Sequence, residues 1–154
     1  MSTDAPSPRN TQHAPRNTVD VAAGLIFREG RLLVTQRPVG GHLAGCWEFP
    51  GGKREPGESF EACLVRELRE ELAVEVEVLT LIETIDHAYP EKHVRLQFYR
   101  CRLVKGEPRP VECSDLRWIQ QAELTDLEFP AADASLLCLL QSRSDLWADS
   151  PPAA

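Results

Sequence analysis

Three glutamates on one short segment, Glu67, Glu70 and Glu71, are spaced three and four residues apart within Arg66-Glu67-Leu68-Arg69-Glu70-Glu71. On an α-helix such offsets place side chains on neighbouring turns of one face. Crowding that much negative charge is unfavourable unless a cation neutralises it. Oxygen-only donors suit a hard ion such as Mg²⁺ or Mn²⁺, which commonly sits between a few carboxylates and substrate phosphates. Upstream, Gly51-Gly52-Lys53-Arg54-Glu55-Pro56-Gly57-Glu58 supplies a glycine turn that leads into the helix. Turn and acidic helix together read as a metal–phosphate site. The competing reading is a solvated helix face whose acids pair with Arg66 and Arg69.

The elements that must position these acids are legible in outline. Ser59 is placed to cap the helix, its hydroxyl accepting from an early backbone N–H, and the helix is predicted to run to about Leu72. Leu64, Leu68 and Leu72 form its packed stripe. At ~100° per residue, Glu67 and Glu71 fall beside that stripe and should line a groove next to the protein body. Val19 to Phe27 is apolar enough for a buried strand, Arg28 to Arg31 a turn, and Leu32 to Gln36 a returning strand. Pro38 to Cys46, with one proline and three glycines, reads as a loop, and Trp47 to Phe49 as a short strand. Val74, Val76 and Val78 alternate with glutamates in a strand that continues towards Ile85. Further strands are expected at His93 to Val104 and Leu116 to Ile119, and a second helix at Ala131 to Gln141. The fold class is therefore α/β, a mixed sheet with helices on both faces.

The bulk properties bound the function. A chain of 154 residues is one domain, large enough to bury a core. A net charge of −7 argues against gripping a long nucleic acid through its phosphates. No apolar run approaches the ~20 residues of a membrane span, and the N-terminus lacks a signal-peptide core, so a cytoplasmic location is expected. Five dispersed cysteines read as reduced packing residues. Residues 1–18 have the composition of a disordered tail, 19–142 hold the domain, and 143–154 read as a frayed C-terminal tail. His87 and His93 read as polar strand-end residues, and Trp47 as core.

From Gly52 onward the residues resemble the signature of the Nudix family, the Nudix box: Gly52, Glu58, Arg66, Glu67, Leu68, Glu70, Glu71 and Val74 match, and Ala73 stands where the family has glycine. Gln36-Arg37-Pro38, Trp47 to Lys53 and Phe129-Pro130-Ala131-Ala132-Asp133 resemble its MutT branch. The resemblance implies an α/β/α sandwich in which the Gly51 carbonyl and Glu67, Glu70 and Glu71 hold divalent metal. It makes Glu67 the leading general base, with Glu58 and Arg66 orienting the loop and the acids. Glu112, after Gly106-Glu107-Pro108, resembles an extra glutamate set against the metals.

Arg37, Phe49, Lys92 and Asp133 stand where MutT-like proteins hold the nucleotide. Asp133 replaces an asparagine and Lys92 an arginine. An ionised carboxylate only accepts hydrogen bonds, so Asp133 is open between reading a base edge and an N-cap or turn role in the last helix. The activity implied is Mg²⁺-dependent hydrolysis of a nucleoside triphosphate to monophosphate and pyrophosphate, with an oxidised purine such as 8-oxo-dGTP as leading substrate. CTP or a nucleoside diphosphate sugar are the alternatives. A non-catalytic nucleotide-binding module is the contrasting class, disfavoured because every box carboxylate is present. The chain is expected to act as a monomer or homodimer, with no nucleic-acid polymer or membrane as partner.

Overall fold

The computed structural model of the protein describes residues 18–148. Its centre is β1 (Thr18–Arg28), whose alternation feeds two cores. Ala22 and Ile26 point into one core, Ala23 and Leu25 into the other. β1 turns back into β2 (Arg31–Gln36) through Glu29 and Gly30, both at positive φ, the two-residue turn that matches strand twist. The two strands then part, because their pairing covers only Phe27 with Leu32 and Arg28 with Arg31. β2 takes β3 (Trp47–Glu48) on one side and β7 (Asp115–Ile119) on the other. β1 pairs antiparallel with β4 (Gly51–Lys53) over Val21 to Ala23, and parallel with β6 (His93–Lys105) from Thr18 to Ile26. β5 (Glu75–Ala88) lies antiparallel beside β6, with register shifts between Val78 and Glu83. The sheet is mixed, as expected.

Helix α1 (Phe60–Leu72) covers one face. Ser59 caps it, its Oγ accepting from the Ala62 N–H at 3.0 Å. Leu64, Leu68 and Leu72 are fully buried against Ala22, Ile26, Leu33, Tyr99 and Cys101. At its end Ala73 adopts the left-handed conformation at φ 59°, a strain near ~1 kcal/mol that glycine would not carry. The opposite face is covered by α2 (Ala134–Ser142) and the 3₁₀ turns around it. No helix among the described residues is long and apolar enough to cross a membrane, and no described cysteine is in a disulfide.

Three expectations are corrected. Gly51 to Lys53 is a strand paired with β1 rather than a turn; the bend comes later, with Gly57 at φ +84°. The second helix opens as a 3₁₀ turn over Ala131–Asp133 and becomes α-helical only from Ala134. Packing also runs past residue 142, because a 3₁₀ turn at Ser144–Trp147 buries Leu146 and Trp147 in the core. The Trp147 indole N–H donates to the Leu140 carbonyl at 3.0 Å, and its ring meets Phe27 edge-on at 5.4 Å. The proposed N-terminal tail lies outside the described residues except for Thr18, which opens β1, and residues 149–154 lie outside them too.

Trp147 is only 5% exposed. Trp147→Ala should therefore destabilise the chain by about 3–5 kcal/mol, as for other large buried aromatics. Urea unfolding measures this; a loss of a few tenths would return the segment to the status of a tail.

Candidate active site

Arg66 organises the acidic helix. Its guanidinium donates to both oxygens of Glu58, at 2.6 and 3.1 Å, and to Glu67 at 3.0 Å and Glu70 at 3.3 Å. It also reaches the Lys53 carbonyl at 3.1 Å, which ties helix to strand β4. These hydrogen bonds hold the Glu58 carboxyl down at about 2. Glu58 in turn accepts from the Glu55 N–H at 2.9 Å and braces the bend between β4 and α1.

Glu67 and Glu71 face the strand. Burial raises the Glu67 carboxyl against the pull of Arg66, and the charges of Glu70 and Glu112 add to the rise. Glu71 is 7% exposed. Its carboxyl is pushed up to about 8 by burial, then by Glu48, Glu67 and Glu112, while a Gly51 N–H at 3.2 Å pulls the other way. Glu70 lies on the open side of the helix, its side chain half exposed. Among the described residues no three His, Cys, Asp or Glu side chains are gathered as a ready-made metal cage. The donor set nevertheless fits a hard divalent ion: it is oxygen-only, partly desolvated and short of positive charge. Such an ion would be held by Glu67, Glu70, Glu71, Glu112 and the Gly51 carbonyl.

Two glycines make room for this arrangement. A Cβ at Gly51 would stand 2.0 Å from the Ala22 carbonyl oxygen, and one at Gly52 would stand 2.2 Å from the Glu67 carboxyl carbon. The bare backbone of Gly52 is the seat of Glu67.

Glu112 arrives on the segment after β6. Backbone N–H groups of Arg109 and Val111 donate to the carbonyls of Leu72 and Glu71, both at 3.0 Å, and Glu112 N–H follows at 3.4 Å from the Glu71 oxygen. The last carbonyls of α1 are thereby satisfied, and Glu112 is brought near enough for its charge to act on Glu67 and Glu71.

Beside the acids opens a cavity of about 460 Å³, a size suited to a small organic ligand. Its wall runs from Gly51 and Gly52 to Arg37, Phe49, Lys92 and Asp133, so the four expected substrate residues share one space with the metal-side backbone. Phe49 stacks on Phe129 at 5.3 Å, and Lys92 Nζ lies 5.7 Å over Tyr89, which meets His42 edge-on at 5.8 Å across the mouth. Gly41 also lines the wall, at ordinary φ and with no atom within 4 Å of where its Cβ would be. Trp47 is buried core.

Asp133 closes the 3₁₀ turn and stands at the N-cap position of α2, where its side chain makes no capping bond and lines the cavity instead. It is 6% exposed, and its carboxyl is pushed up to about 7 by burial and then by Glu48, against Arg37. Glu48 is the residue that the sequence reading missed. It accepts from Arg37 Nε at 2.7 Å, and its charge acts on both Asp133 and Glu71, the two ends of the site. The available signal was a lone charge between Trp47 and Phe49 in an otherwise apolar strand.

A mixed sheet between helices, with a braced acidic helix beside a ligand-sized cavity, is the layout of a Nudix hydrolase. A family model described as the NUDIX domain matches residues 22–139, and the chain belongs to that family. It is similar to the 8-oxo-dGTP diphosphatase of Escherichia coli strain K12, with 32% identity over 124 residues that make up 80% of this chain and 96% of the relative. It is also similar to the CTP pyrophosphohydrolase of the same organism, with 36% identity over 118 residues, 77% of this chain and 86% of the relative. Among solved structures, MutT from Aliivibrio salmonicida and Vibrio cholerae superposes with a TM-score of 0.68 at 29% identity, covering 80% of this chain and 96% of that one. Enzymes of this family act with divalent metal ions.

Gly52→Ala should displace the Glu67 carboxylate, because the new methyl needs the space that it occupies. A shift of about 1 Å in a reacting group can cost ~10²-fold in rate. Turnover should fall by at least that much while circular dichroism stays native; full activity would show that Glu67 works from another place.

Proposed function

We propose that the protein hydrolyses a nucleoside triphosphate to monophosphate and pyrophosphate with Mg²⁺, and that its preferred base is an oxidised purine such as that of 8-oxo-dGTP. The observation that carries this reading is one cavity lined both by Asp133 and by the glycine backbone against which Glu67 sits. Base recognition and phosphate chemistry then lie along one bound molecule. Magnesium would neutralise phosphate charge and acidify a bound water.

The chain's own groups do the rest. Arg66 fixes the Glu67 carboxylate, which takes the proton of the attacking water; burial has already raised its basicity. The water oxygen bonds to phosphorus, the bridging P–O bond breaks, and pyrophosphate leaves. Glu58 keeps Arg66 in place, and the Glu71 oxygen held by the Gly51 N–H fixes strand to helix. Arg37, anchored by Glu48, and Lys92 provide positive charge at the cavity wall. Phe49 presents an apolar edge to the base.

The choice of base turns on Asp133. With a carboxyl near 7, its neutral form carries a donor and an acceptor on adjacent oxygens, as an amide does. That pair complements the N7–H and neighbouring carbonyl of an oxidised purine. The ionised form only accepts and suits the amino group of cytosine, which is the observation that favours CTP as the second reading.

Two tests follow. Glu70→Gln and Glu71→Gln should each lower kcat by orders of magnitude with the fold retained, and phosphorus NMR of the wild-type reaction should show pyrophosphate as first product. Orthophosphate first, or activity in both variants, contradicts the chemistry.

In the second, the ratio of kcat/KM for 8-oxo-dGTP over CTP should fall as pH rises through about 7, because the raised Asp133 carboxyl loses its donor there. Asp133→Asn should favour 8-oxo-dGTP with a flat ratio over the same range. Equal losses on every nucleotide, or the same pH trend in the variant, would remove Asp133 from base recognition.

A further inference from the structure

The segment that delivers Glu112 is tied down at its far end by a contact outside the family signature. Arg28, the last residue of β1, donates to both carboxylate oxygens of Glu107, at 2.8 and 2.9 Å. The same guanidinium lies 4.1 Å over the ring of Trp118 on β7. A two-point hydrogen bond combined with a stacked aromatic face fixes orientation as well as distance, which a lysine could not do. On the other side Gly106, at φ +93°, brings the chain so close to α1 that a Cβ there would sit 2.9 Å from the Ala73 carbonyl oxygen.

Between this anchor and Glu112 the chain has little slack. Pro108 and Pro110 have fixed φ and no N–H, so of residues 108–111 only Arg109 and Val111 can donate to the helix end. Arg109 and Val111 do so, and Ser114 N–H closes the segment on the Gln36 carbonyl at 3.0 Å. Residues 106–114 thus form a strap across the end of α1, bolted to the sheet by Arg28 and Trp118. A displacement at Glu107 is passed along this stiff chain to the two N–H groups on the Glu71 carbonyl, and so to both Glu71 and Glu112.

We propose that Arg28 and Glu107 are positioning residues for the metal site, a clamp that sets the strap and thereby the placement of Glu112 against Glu67 and Glu71. The proposal rests on the reading that Glu112 faces the metal. The side chains of Arg28 and Glu107 are 39% and 69% exposed, so the pair contributes little to global stability. Its effect is therefore local and separable from folding.

The experiment uses the full chain, ¹⁵N-labelled and metal-free, as wild type, Arg28→Met, Glu107→Gln, the exchanged pair Arg28→Glu with Glu107→Arg, and Glu112→Gln. Amide exchange of Val111 should speed up roughly 3- to 10-fold in each single clamp variant, with the β6 amides unchanged. Mn²⁺ affinity, read from the free-ion EPR signal, should weaken by roughly 3- to 10-fold, below the 10–100-fold typical of residues that touch a ligating side chain directly. The melting temperature should stay within about two degrees, since an exposed pair contributes so little. The exchanged pair should recover much of the protection and affinity.

Glu112→Gln should weaken Mn²⁺ binding more than either clamp variant. If it does and the clamp variants bind Mn²⁺ as wild type, the clamp proposal is overturned and the site reading stands. If Glu112→Gln leaves Mn²⁺ affinity unchanged, Glu112 lies off the metal and the proposal falls with it. Uniformly faster exchange with a lowered melting temperature would make the pair an ordinary structural salt bridge, which also overturns the proposal.

Discussion

Negative charge brought out of water is the constraint from which the rest of the molecule can be understood. Glu71 is buried with Glu48, Glu67 and Glu112 close enough for their charges to act on it. Full ionisation of such a group in a low-dielectric setting is costly, and the folded chain meets that cost only in part. Arg66 neutralises the outer acids, and one backbone N–H serves Glu71. The remaining deficit of positive charge is what a bound divalent ion would make up. Strand β4 and the segment before Glu112 hold the acids in place through the Lys53 carbonyl, the Gly51 N–H and the Val111 N–H.

The same constraint explains how the site is divided. The acidic helix and strand β4 meet through groups that leave almost no tolerance, with two glycines pressed against a carbonyl and a carboxylate. The cavity end is built differently, from apolar residues of β1 and β6 and from loop residues around Arg37 and Asp133. Glu48 couples the two ends electrostatically: it anchors Arg37 on one side and raises both Asp133 and Glu71. The Glu48 charge is thus shared by Asp133 and Glu71, which do not act on each other directly.

What could be read from sequence was what local periodicity carries. The Ser59 cap, the Leu64, Leu68 and Leu72 stripe and the placement of Glu67 and Glu71 beside it all follow from helical geometry within one segment. The features missed depend on distant partners. Gly51 to Lys53 has no side-chain pattern, and becomes a strand because β1 offers its edge. Leu146 and Trp147 follow no period, and are buried because Phe27 and Leu140 leave a place for the indole. Asp133 stayed open between two roles because the absence of a capping bond is visible only once α2 and the cavity are placed together.

Gly41 separates itself from the other glycines of the site. Gly51 and Gly52 are fixed by lack of room, and Gly40 and Gly45 by positive φ, whereas Gly41 has neither restriction and borders the cavity. A Cβ can be added there without backbone strain and without meeting any atom within 4 Å. The wall of the pocket can thus be reshaped one residue at a time while the hydrolytic end stays the same. Room for ligand variation and rigidity for the acids are thus written into the same cavity by glycines of opposite kinds.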